Sequence, residues 1–123
     1  MDKKRVLIAD DDMGLVQAMA IRLKNAGFEV ICGTDSYQAL SQAMTTRPDV
    51  IILDINMPCG KGFTVHERLR QSASVAAPVI YLTGDKDPDI DAISRRLGAY
   101  ALIYKPFEVQ QLLSTVHQAL NAA

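Results

Sequence analysis

Five short runs of apolar, mostly aliphatic residues divide the chain: RVLIA at 5–9, EVIC at 29–32, DVIIL at 49–53, PVIYL at 78–82 and ALIY at 101–104. Their apolar residues are continuous rather than alternating, which is the pattern of strands covered on both faces in a parallel sheet. Between and after them, apolar residues recur at helical spacing. Leu15, Ala18, Met19, Leu23 and Ala26 form one stripe, closed by Gly27 as a C-terminal cap. Tyr37, Leu40, Ala43 and Met44 form a second, and Phe63, Val65 and Leu69 a third, within a helix expected from about Gly62 to Gln71. Ile90, Ile93 and Leu97 make a fourth, opened by the DPD of residues 87–89 with Pro88 suited to a first helical turn. Val109, Leu112, Leu113, Val116 and Leu120 make the fifth. Strand and helix alternating five times predict an α/β fold, a single doubly wound five-stranded parallel sheet flanked by five helices. In such sheets a ligand site forms outside the carboxyl ends of the strands.

A length of 123 residues suits one domain with a real core, and we read residues 1–123 as that domain. The net charge of −1, from 13 basic and 14 acidic residues, gives no case for nucleic acid or a membrane surface as partner. No apolar run approaches the roughly 18 residues of a membrane span. The opening MDKKRVLIADDD also lacks the apolar core of a signal peptide, so a cytoplasmic location is expected. Cys32 and Cys59 fit no metal-ligand spacing and are read as free thiols.

The strand ends carry the chemistry. Asp10, Asp11 and Asp12 follow the first run, Asp54 the third, Thr83 the fourth, and Lys105 with Pro106 the fifth. Taken singly, each acid reads as a helix cap or a solvated turn, and for Asp12, at the start of the first helix, capping is the reading we adopt. Together they form an acidic rim, and converging carboxylates either raise a pKa or bind a cation. Mg²⁺ takes oxygen ligands, commonly one or two carboxylates with waters and a phosphate oxygen. Asp11 and Asp54 are the candidates for direct ligands, Asp10 for a ligand through water, and the Asn56 backbone carbonyl for another. A carboxylate can also act as a nucleophile and form an acyl phosphate. Lys105 would then offer a point charge and Thr83 a hydroxyl to a phosphoryl group, while Gly84 leaves room beside it. A cis Lys105–Pro106 bond is expected to aim the ammonium back over the rim.

With the pieces LIADDD, LDINMPCGKGF, VIYLTG and GAYALIYKPF in this order, the chain resembles the receiver domain of two-component response regulators over essentially its whole length. The resemblance implies a flavodoxin-like sheet in the order 2-1-3-4-5. It implies that Asp54 accepts a phosphoryl group from a partner's phosphohistidine, with Mg²⁺ (or Mn²⁺) held by Asp10, Asp11, Asp54 and the Asn56 carbonyl, and that Thr83 and Lys105 bind the phosphoryl oxygens. The partners it implies are a sensor histidine kinase or a histidine phosphotransfer protein, then a downstream output domain or docking protein, with homodimerisation open. Such a chain catalyses its own phosphorylation and dephosphorylation but is not a turnover enzyme. The response is expected as a population shift toward the face of helix four, strand five and helix five.

This sequence departs from the family pattern at Leu102, where an aromatic three positions before the lysine is usual and swings inward when the threonine moves. Strand alternation places Tyr100, Leu102 and Tyr104 on one side, so either tyrosine is a candidate substitute. Cys59 and Lys61 replace a frequent glycine and aspartate, and Asn56 and Asp85 stand where water access to the site would be tuned. His66 is expected to be partly covered and His117 exposed, neither of them catalytic. Two other readings fit these residues poorly: a flavin carrier, whose phosphate the three aspartates would repel, and an aspartyl-nucleophile phosphatase, which needs two aspartates two residues apart after the first strand. The chain ends about with its fifth helix, which suits a complete single-domain regulator or the receiver portion of a longer protein.

Overall fold

The computed structural model describes residues 3–57, 60–72, 76–84 and 86–122. Its element order is β1 (Arg5–Ala9), α1 (Met13–Asn25), β2 (Glu29–Gly33), α2 (Ser36–Thr46), β3 (Val50–Asp54), β4 (Asn56–Met57), β5 (Gly60–Lys61), α3 (Gly62–Arg70), β6 (Val79–Thr83), α4 (Pro88–Leu97), β7 (Ala101–Tyr104) and α5 (Val109–Ala122). Five strands form one parallel sheet in the order β2-β1-β3-β6-β7. Counted among themselves, these strands have the expected order 2-1-3-4-5. The addition is the antiparallel pair β4–β5, two residues each, between the third sheet strand and α3.

Burial explains the unbroken apolar runs. β3 and β6 are buried at every position and β1 at all but the first, because helices cover both faces of these three central strands. One core layer joins Val6, Ile8, Ile52, Ile80 and Leu82 to α1 and α5, and the other joins Leu7, Ile51, Leu53 and Tyr81 to Ala39, Ala43, Val65 and Ile90 of α2, α3 and α4. The edge strands β2 and β7 are only partly covered.

The caps follow the local chemistry. The Asp12 carboxylate accepts from the Leu15 N–H at 3.1 Å, which bears out the capping reading, and Asp87 caps α4 ahead of Pro88. Gly98, at φ 79°, ends α4 in the left-handed conformation that suits glycine.

Two helices present a face other than the one the apolar spacing suggested. α1 buries Val16, Met19, Ala20 and Leu23, whereas Ala18 and Ala26 are exposed. α2 buries Ser36, Ala39 and Ala43 and leaves Tyr37 at 77% exposure, with Met44 also exposed. The reason is close approach, since a Cβ added at Gly33 of β2 would lie 3.4 Å from the Ala39 backbone nitrogen. Only small side chains fit between this helix and the sheet, so the larger residues turn outward.

Candidate functional site

Parallel strands bring their carboxyl ends to one rim. β3 and β6 each run one residue further than the apolar runs did, so Asp54 and Thr83 are the last residues of their strands rather than loop residues. Asp10 follows β1 directly and Lys105 follows β7. Asp10 is fully buried: its Oδ1 accepts from the Asp12 N–H at 2.9 Å, and its Oδ2 lies 2.8 Å from Lys105 Nζ. The Lys105 ammonium is also 3.7 Å from Asp54 Oδ2. Asp54 Oδ1 accepts from the Asn56 N–H at 3.4 Å. Asp10, Asp11 and Asp54 each present a carboxylate oxygen within 4.8 Å of the others, with Asp11 exposed and the other two buried.

Three carboxylates against one ammonium leave the rim electrostatically unbalanced. Burial, reinforced by the negative charge of Asp10, pushes the Asp54 pKa up to about 6, although Lys105 and the Asn56 N–H pull the other way. Burial alone would lower the Lys105 pKa, but its hydrogen bond to Asp10 and the surrounding carboxylates outweigh that and raise it. An all-oxygen, net-negative donor set of this kind suits a hard divalent cation.

The remaining site expectations separate by position. Thr83 reaches the rim but is fully buried, and its backbone carbonyl accepts from the Lys105 N–H at 2.7 Å, which ties the end of β6 to the loop carrying Lys105. The Lys105–Pro106 peptide is cis. Asn56 sits in β4 and is exposed. A Cβ at Gly84 would meet nothing within 4 Å, so the protein's own packing does not require glycine there. Lys61 lies in β5; Cys59 and Asp85 lie outside the described residues. Tyr100 precedes β7 and shares a pocket with Ala76, Pro78, Ala119 and Ala122 at the opposite end of the sheet, so strand alternation does not extend to it and it is no substitute for an aromatic at 102. Beside Lys105 an open cleft of about 330 Å³ is lined by Asp12, Leu15, Pro106 and Phe107.

Sequence reasoning passed over two features. The first is Gly62, whose N–H donates to the Ile55 carbonyl at 2.8 Å. A Cβ there would stand 2.5 Å from the Asp54 carbonyl oxygen and 3.1 Å from Ile55 Cα. The signal was the second glycine of GKG, at the start of a helix, where it is otherwise a poor helix former. Because backbone on both sides must yield, Gly62→Ala is expected to cost about 3 kcal/mol and to disturb Asp54. Urea denaturation will measure the first effect and the phosphoryl acceptance rate the second; unchanged values for both would show that the backbone gives way easily.

The second is His66, which is buried at 4% exposure rather than partly covered, with its Nδ1 hydrogen-bonded to the Tyr81 hydroxyl. His117 is exposed as expected and rests on Phe28 at a ring separation of 5.3 Å. Burial, with the charge of Arg70, holds the His66 pKa down to about 4. The folded protein therefore binds this proton less tightly than the unfolded chain does. The stability contributed by the neutral ring is complete above pH 6.5 and is lost as the pH falls toward 4. We expect wild type to lose about 2 kcal/mol more than His66→Leu/Tyr81→Phe over that interval in urea denaturation. Parallel pH curves would show that His66 titrates normally.

A five-stranded parallel sheet in this order, with acids and a lysine converging at its carboxyl rim, defines a flavodoxin-like signalling domain. The chain belongs to the response regulator receiver domain family, whose sequence model matches residues 6–117. It is 33% identical over 119 residues to the alkaline phosphatase synthesis transcriptional regulatory protein PhoP of Bacillus subtilis, an alignment covering 96% of this chain and 49% of PhoP. It is 34% identical over 116 residues to the tetrathionate response regulatory protein TtrR of Salmonella typhimurium, covering 94% of this chain and 56% of TtrR. The chain thus spans about half the length of the curated relatives it matches. Among solved structures, the chemotaxis protein CheY4 of Vibrio cholerae superposes with a TM-score of 0.90 at 32% identity, covering 97% of this chain and 100% of CheY4. A CheY-like receiver domain protein from Methanospirillum hungatei superposes with a TM-score of 0.93 at 25% identity, covering 98% of this chain and 96% of that one.

Proposed function

We propose that Asp54 is the phosphoacceptor of a two-component or phosphorelay system and that residues 1–123 form one receiver domain. The observation that carries this reading is the placement of a buried carboxylate with a raised pKa, Asp54, between two further acids and a lysine at the sheet rim. A carboxylate oxygen of Asp54 attacks the phosphorus of a phosphohistidine, and the bond to the donor nitrogen breaks as the acyl phosphate forms. Asp11, Asp54 and the Asn56 carbonyl would hold Mg²⁺ (or Mn²⁺). Asp10, with both oxygens already engaged by Asp12 and Lys105, suits contact through water. Bound there, the ion supplies the positive charge that a phosphoryl group entering an acidic rim requires.

Lys105 reaches the phosphoryl oxygens from its position between Asp10 and Asp54, and Thr83 offers its hydroxyl once its buried side chain turns toward the rim. The donor is a sensor histidine kinase or histidine phosphotransfer protein, and the cleft beside Lys105 gives it an apolar foothold next to the acceptor. The chain catalyses its own phosphorylation and dephosphorylation without turning over an external substrate, works in the cytoplasm and acts on an output domain or docking protein. Among the described residues no helix is long and apolar enough to cross a membrane.

Incubation with acetyl phosphate and Mg²⁺ should add one phosphoryl group, lost on treatment with hydroxylamine and mapping to Asp54 by borohydride reduction and mass spectrometry. Label on any other residue, or incorporation indifferent to chelator, would overturn the assignment.

A further inference from the structure

We propose that α3 is the element that responds when the acidic rim is filled, and that the buried pair Tyr81–His66 is the strut coupling it to β6. The proposal rests on the phosphoacceptor reading and adds to it the route by which occupancy is felt. Tyr81 and Thr83 are alternate residues of β6 and therefore face the same side of the sheet, and both are fully buried. The Tyr81 hydroxyl pairs with His66 Nδ1, and the Tyr81 ring makes T-shaped contacts with Phe63 and His66 at centroid separations of 5.4 and 5.3 Å. Both of those residues belong to α3. Away from water a phenol that loses its partner finds no replacement. A displacement of β6 that follows Thr83 must therefore carry His66 with it or break a buried hydrogen bond.

α3 is also tied to the acceptor strand. Its first residue, Gly62, donates to the Ile55 carbonyl at 2.8 Å and lies so close to Asp54 that a Cβ would stand 2.5 Å from the Asp54 carbonyl oxygen. One end of the helix is thus built on the backbone of Asp54, and its middle is held by the strand of Thr83. On β7 the residue in register with Tyr81 is Leu102, half-buried and packed against the same core layer. An isobutyl group has neither a polar atom to hand on nor a ring to swing, so of this registered pair only Tyr81 brings a ring and a hydrogen bond. A pocket of about 160 Å³ lined by His66, Leu69, Arg70 and Val79, together with Ala76 and Ala77, leaves room for the imidazole and the C-terminal half of α3 to shift.

The test uses the whole chain with Mg²⁺, with and without beryllofluoride as the phosphoryl mimic. Occupancy is read from the ¹⁹F signal of the bound mimic, and the response from amide exchange along Gly62–Arg70 and the ¹⁵N shifts of the His66 ring. In wild type we expect the mimic to change α3 exchange by roughly threefold or more and to move the Nδ1 resonance. Tyr81→Phe keeps the ¹⁹F signal and loses the α3 response, whereas Leu102→Ala keeps both. His66→Leu repeats the test from the helix side, and His66→Gln, which still offers the phenol a partner, restores part of the response. A bound mimic in wild type with α3 unchanged and changes confined to α4, β7 and α5 would overturn the proposal, as would a full α3 response in Tyr81→Phe. Failure of the underlying reading looks different: no bound ¹⁹F signal in wild type, or one that persists in Asp54→Asn.

Discussion

Asp54→Asn is expected to reduce phosphoryl incorporation from acetyl phosphate by more than about 100-fold while the protein still unfolds in one cooperative transition. The amide has nearly the shape of the carboxylate but no anionic oxygen to attack phosphorus, so chemistry is lost and packing retained. The same substitution should make the metal-free protein more stable at neutral pH. The Asp54 pKa is raised from 3.8 to about 6, mainly by burial and the neighbouring charge of Asp10, so the folded state binds this proton more tightly than the unfolded chain does. Asp54 therefore favours folding at low pH, and that contribution is lost as the pH rises through 4 to 6; above this its charge is a standing cost of about 2 kcal/mol. Asparagine removes the cost. Urea denaturation with chelator between pH 4 and 8 should show Asp54→Asn gaining on wild type up to about pH 6 and holding its advantage above. Millimolar Mg²⁺ should narrow the gap by stabilising wild type. A pH-independent difference would show that Asp54 ionises normally, and undiminished label in the variant would remove it as acceptor.

Lys105→Met is the second large effect. The ammonium lies 2.8 Å from an oxygen of Asp10, a carboxylate with no exposure to water, and 3.7 Å from Asp54. Removing one member of a buried pair leaves the other charge uncompensated, which commonly costs 3–5 kcal/mol. Because Lys105 is 24% exposed and water can partly replace it, we expect about 2 kcal/mol in metal-free buffer. A divalent ion at the same rim supplies charge of the same sign, so Mg²⁺ should recover part of the lost stability. The rate of phosphoryl acceptance should not recover in step. Loss of a donor aimed at the developing charge is expected to slow it about 10- to 100-fold even at saturating Mg²⁺. Stopped-flow phosphorylation and urea denaturation across a Mg²⁺ series separate the two effects, and full recovery of rate by Mg²⁺ would reduce Lys105 to a counter-charge.

Both expectations depend on side chains converging from four separate segments, and their positions were legible because each follows an apolar run. In a parallel sheet every strand delivers its next residues to the same rim, so reading the ends of the runs at 5–9, 49–53, 78–82 and 101–104 was enough to gather Asp10, Asp54, Thr83 and Lys105. The burial of Thr83 was less legible, since a hydroxyl at a strand end reads the same whether it faces water or protein. His66 illustrates the same limit. One polar residue beside an apolar helical stripe gives no sign that a phenol on a distant strand waits for it.

The sequence by itself determined the alternation of strands and helices, the doubly wound parallel sheet that follows from it, and the residues available at the rim. These rest on periodicity and on connections between neighbouring elements, which are local. Tertiary structure alone decided that α2 buries Ser36, Ala39 and Ala43 while Tyr37 faces water, and that Gly62 lies against the Asp54 carbonyl. It also decided that Lys105 pairs most closely with Asp10 and that Tyr81 is held by His66. Each of these depends on the distance between segments far apart in the chain, and such distances are set only when both layers of the core pack against the sheet.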